Sequence, residues 1–242
     1  GGRQFFTRAI DFGFSKDYRE TVRIWDRQAV LSDIVRVYRT FRPDVVVTGF
    51  SPEPSNTHGH HTASAVLALE AFKLSGDPKA FPEQLAVPAG ERRSHEAPLR
   101  VWQPKRILVN RRFFHSEPPP GGLRLEISGQ DPVLGISFAE LAARSRAMHK
   151  TQGFAHFTLR GGDGPRTEVF ELLAGEPATN DIMDGIDTTW ARVPGGAPIG
   201  KLAGDIIAGF QPADPAASVE ALLKLRSRLA ALDTKDPVVA EK

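Results

Sequence analysis

Three of the seven histidines in this 242-residue chain fall within four positions, in Thr57-His58-Gly59-His60-His61-Thr62. Neutral imidazole is the commonest metal ligand, and imidazole moves protons near neutral pH. His58 and His61 are three positions apart, a spacing that lets both side chains enter one cleft from the first turn of a helix. The plain alternative is a polar loop whose imidazoles cap the helix and bond locally. The chain has no cysteine, so a metal would have to be held by histidine and carboxylate. Disulfides, thiol nucleophiles and Cys-ligated clusters are excluded. No HExxH, P-loop, GxGxxG or GxSxG pattern offers a competing centre.

The segments around the histidines predict how they are held. Val30, Ile34, Val37 and Phe41 make one apolar stripe on a helix from Asp26 to Phe41, with Arg27, Arg36 and Arg39 off it. Arg42-Pro43-Asp44 ends that helix, because proline disfavours helical geometry in the residue before it. Val45 to Phe50 is short, β-branched and nearly all apolar, as a strand covered on both faces reads. Helix, tight turn and buried strand predict an α/β fold with a mainly parallel sheet. Ligands in such sheets bind at the C-terminal ends of strands, where Ser51 to Gly59 leaves the strand and a second helix begins near His61.

Further along, Arg106 to Asn110 and Leu123 to Ser128 read as strands. Ser137 to Lys150 reads as a helix with Phe138, Leu141, Ala142, Ser145 and Met148 inward, capped by Ser137 with Glu140. Phe157 to Arg160 and Glu168 to Leu172 flank a Gly-rich turn and predict a hairpin. After Phe210 a Pro/Ala linker leads to an amphipathic helix through Val219, Leu222, Leu223, Leu229 and Leu232.

Arg42-Pro43-Asp44-Val45-Val46-Val47-Thr48, followed after a loop by His58-Gly59-His60-His61-Thr62-Ala63-Ser64-Ala65, resembles the PIG-L / LmbE-like family of zinc-dependent N-acetylglucosaminyl deacetylases. Ser145-Arg146-Ala147-Met148-His149-Lys150-Thr151-Gln152-Gly153 and Asp184-Gly185-Ile186-Asp187-Thr188-Thr189-Trp190 fit its longer bacterial members. The resemblance spans roughly residues 3 to 210. It implies a Rossmann-like, mainly parallel sheet with flanking helices. It implies Zn2+ bound by His61, with His58 as a catalytic group for the tetrahedral intermediate and His60 beside it, where the family has Asp. It also implies Asp11 as a substrate-facing carboxylate, and His149 with Gln152 as residues bracing the site. From the residues alone, Trp102 and Trp190 are candidate platforms for a sugar ring, core or rim packing being the plain alternative. The family's Ala-His-Pro-Asp-Asp-Glu motif, source of the other zinc ligands and the general base, has no match here. It is expected upstream of Gly1, together with a missing strand–helix unit.

The expected domain is therefore an incomplete deacetylase over 1–210, with 211–242 as linker and helix leading to a following segment. The expected reaction is zinc-dependent removal of an N-acetyl group from an amino sugar or its conjugate. The alternative is a non-catalytic sugar-binding or scaffolding domain of a larger multidomain protein. Lys and Arg number 31 against 29 Asp and Glu, too even a balance for a nucleic-acid surface. No run approaches the roughly 18 apolar residues of a membrane span. The compartment stays open, a secreted or periplasmic setting being favoured over the cytoplasm.

Overall fold

The computed structural model describes residues 2–54, 57–86, 99–111, 121–153 and 167–232. Helix α1 (Tyr18–Ile24) starts at Asp17, whose carboxylate accepts from Arg19 N–H. Helix α2 (Arg27–Phe41) starts at Asp26 and ends at Arg42, both with positive φ. Strand β1 (Val45–Thr48) and helix α3 (Gly59–Ser75) follow. Then come β2 (Arg106–Asn110), β3 (Leu123–Glu126), α4 (Phe138–Ala147) and β4 (Thr167–Gly175). Helices α5 (Ala197–Gly209) and α6 (Val219–Ala230) pack on each other at the end.

The four strands lie in the order β1-β2-β4-β3. β1 pairs with β2 in parallel, through the α3 crossover. β4 lies between β2 and β3 and runs antiparallel to both. The fold is thus α/β with an open mixed sheet, in which one of the three pairings is parallel rather than most of them. Apolar alternation defines a strand's faces and is silent on its direction, so the antiparallel return of β4 was not legible. The expected hairpin partner, Phe157 to Arg160, lies outside the described residues. Within them β4 takes β3 and β2 as its neighbours.

Helices α2 and α3 cover one sheet face. Val30, Leu31, Val35 and Tyr38 meet Leu67, Ala71 and Phe72 over Ile107 of β2. Burying a side chain of this size contributes about 1.5–3 kcal/mol. The buried face of α2 is therefore rotated from the expected stripe. Ile34, Val37 and Phe41 are only half-buried, because apolar residues occupy a broad arc of this helix and α3 selects part of it. β1 also departs from expectation. It is an edge strand among the described residues, and Val47 is 44% exposed. Ser137 does cap α4, accepting from Glu140 N–H at 3.1 Å. Yet α4 buries none of its residues, and Met148 is 68% exposed.

Two arginines are buried as structural clamps. Arg39, expected off the apolar face, is fully buried. Its guanidinium donates to the carbonyls of Ser75, Asp77, Ala80 and Phe81, at 2.8 to 3.2 Å. It thereby closes the C-terminal end of α3 and the loop after it. Arg106 opens β2 and in the same way gathers the carbonyls of Glu176, Ile182 and Asp184. Among the described residues no helix is long and apolar enough to cross a membrane.

Candidate functional site

The chain leaves β1 at Thr48, whose hydroxyl donates to Phe50 O at 2.9 Å. His58 is the N-cap of α3 in extended conformation, but its side chain makes no capping bond. The helix start is anchored from elsewhere: Gly59 N–H donates to Ser15 O at 2.7 Å, which ties the N-terminal segment to α3. Glycine is required at 59 by close approach, since a Cβ there would lie 2.8 Å from the backbone C and O of Asp17 and from Thr21 Oγ1. The histidines therefore stand beyond the C-terminal end of β1, as expected from strand, loop and helix.

Two of them form a pair. The His58 and His61 rings are parallel within 3°, with centroids 5.2 Å apart. Phe50 stacks on His61 at 3.8 Å and 7°, and Phe14 meets His58 edge-on at 4.7 Å. His60 turns to a different neighbourhood, against Phe12 at 4.4 Å and Trp25 at 5.6 Å. Trp25 is itself held by an Nε1–H bond to Ile10 O at 2.9 Å. Partial burial holds the His61 pKa below the ordinary imidazole value, and the nearby His58 and His60 lower it further. His61 is thus kept neutral, the form that binds a metal or accepts a proton.

A metal bound to imidazole lies in the ring plane. The His58 and His61 rings are parallel, and two imidazoles alone are fewer than the ligands a zinc site takes. Among the described residues no three His, Asp or Glu side chains converge on a position that could hold a metal. The stack with Phe50 covers one face of the His61 ring.

The other expected site residues are spread out. Asp11 is exposed, on the segment between Ile10 and Phe12 that runs past Trp25 and His60. His149 follows α4, and its Nδ1 lies 3.1 Å from Arg146 O. The start of α4 is tied to the chain leaving β3 through a Gln130–Ser137 bridge, and β3 is the strand farthest from β1 in the sheet order. Trp190 lies toward the opposite end of the sheet. It packs on Gly200 of α5, and its near neighbour Arg192 forms a bidentate pair with Asp44 at the start of β1. Asp184 and Asp187 act as turn residues, accepting from the backbone N–H of Asn180 and Thr189 respectively.

Sequence reasoning missed the aromatic surround of Phe12, Phe14, Trp25 and Phe50. Four Phe among residues 5–14 were a signal of local density, but nothing in their spacing pointed at the histidines. The chain matches no family model, no curated protein and no solved structure, so the reading of the site rests on its own residues.

Proposed function

We propose that this chain carries the histidine-bearing part of a zinc-dependent N-deacetylase site of the PIG-L / LmbE-like kind, on a Rossmann-like domain. Its substrate would be an N-acetylated amino sugar or its conjugate. The observation that carries this reading is the His58–His61 pair beyond the C-terminal end of β1, with its rings 5.2 Å apart. The low His61 pKa supports it, because a neutral imidazole is ready to act.

One imidazole is not a zinc centre, and the described residues do not fit one by themselves. Zn2+ enters only as the cofactor the resemblance implies, with His61 as one ligand. The chain's own residues have these roles. His58 donates a hydrogen bond to the oxyanion that forms when water adds to the acetamide carbonyl. Collapse of that intermediate breaks the C–N bond, a proton passes to the leaving nitrogen, and acetate and the free amine separate. Phe50 covers one face of the His61 imidazole, while His58 is open to solvent and to substrate.

The test is acetate release by the full-length protein from N-acetylglucosamine and its conjugates, with zinc supplied and after chelation; this chain alone is expected to bind zinc weakly. Activity is expected to need zinc. His61→Ala loses metal and activity together. His58→Ala keeps metal and loses rate by about 10²–10³-fold, equivalent to about 2.7–4 kcal/mol. His60→Ala is milder. Sugar affinity that depends on His58 without any acetate release would replace this reading with the non-catalytic sugar-binding domain.

A further inference from the structure

A cavity lies away from the histidines. It is an open groove of roughly 670 Å³ lined by residues at the other end of the sheet, where Asp44 precedes β1 and Lys105 precedes β2. Small-molecule sites commonly enclose about 300–1,000 Å³.

The lining narrows the ligand class. Trp102 is half-buried, and its Nε1–H donates to Pro43 O at 2.6 Å, which fixes the indole in place. Arg192 grips Asp44 at 2.6 and 2.7 Å, and Lys105 grips Glu176 at 2.8 Å. Asp187 is exposed and accepts from the N–H and hydroxyl of Thr189 at 2.8 and 2.7 Å. Three carboxylates and two cations therefore share the groove. An anionic ligand would have to displace a carboxylate from its cation, and a cationic ligand would face a guanidinium and an ammonium. A hydroxyl both donates and accepts, so it suits carboxylate oxygens and the remaining N–H groups alike. The fixed indole offers an apolar surface to the C–H face of a flat ring.

We propose that this groove is a saccharide-binding site. It takes an uncharged pyranose ring on Trp102, with ring hydroxyls bonded to Asp187, Glu176 and Lys105. The site is separate from the histidines, and the proposal does not rest on the deacetylase reading.

The test is calorimetry and tryptophan emission of the whole chain with cellobiose, maltose and lactose, none of them N-acetylated. At least one is expected to bind. Trp102→Ala should weaken binding about tenfold, the upper range for an aromatic contact. Trp102→Ala also removes the bond to Pro43, so Asp187→Ala, at an exposed position, is the second variant. It should weaken binding while leaving the circular dichroism spectrum unchanged. Neither response should appear in His58→Ala. The proposal is overturned if none of the three sugars binds, or if affinity is indifferent to both groove variants. It is equally overturned if affinity is lost in His58→Ala, or if the groove takes acetate or ethylamine in preference to the sugars.

Discussion

The Phe50 ring lies 3.8 Å from the His61 ring and within 7° of parallel to it. Phe50, two residues past the end of β1, thereby shields an imidazole in the first turn of α3, and it couples the β1–α3 loop to the candidate site. Removing it should expose His61. Phe50→Ala is expected to move the His61 pKa upward, toward the ordinary imidazole value, because burial is the largest cause of its depression. An NMR pH titration of the ring protons reads this directly, and an unchanged pKa would contradict it.

The same depression links folding to pH. The folded His61 binds a proton less readily than the unfolded one, so the unfolded state gains protons first as pH falls. This contribution to stability is intact above the unfolded pKa of about 6.5. It is lost as pH drops from there through the lower folded pKa, and changes no further below it. Urea midpoints measured from pH 7.5 downward should show this loss, and His61→Gln should flatten that part of the curve.

Gly59→Ala tests the seat of the histidines. The added Cβ would meet the Asp17 backbone at 2.8 Å, and backbone cannot rotate away. The expected cost is about 1–3 kcal/mol, the range for overpacking, with α3 pushed off the N-terminal segment. Denaturant unfolding gives the cost. Weakened ring-current shifts between Phe14 and His58 would report the displacement.

Arg39→Met should cost roughly 3 kcal/mol or more, since it strands several buried carbonyls at the end of α3. Arg39→Lys should recover only part of this, because an ammonium lacks the planar fork. Thermal unfolding of both variants checks the order, and equal stability of Met and wild type would refute the clamp.

Much of the local structure was legible in the sequence. The helix ending at Arg42-Pro43, the strand Val45–Thr48, the histidines beyond its end, the strand Arg106–Asn110 and the Ser137 cap all follow from short-range periodicity and steric rules. Helix α5 was not legible, because Gly200 and Gly204 depress its propensity and contact with Trp190 compensates. Tertiary structure alone decided the direction of β4, the edge position of β1 and which arc of α2 is buried. Each depends on partners remote in sequence, on which local periodicity carries no information. The same holds for the site. The cluster was visible as His58, His60 and His61, but only packing separated the His58–His61 pair from His60 and set Phe50 against His61. Ring planes and neighbours are chosen by where α1, α3 and the N-terminal segment meet, a contact between residues 12–25 and 50–61 that no spacing along the chain encodes.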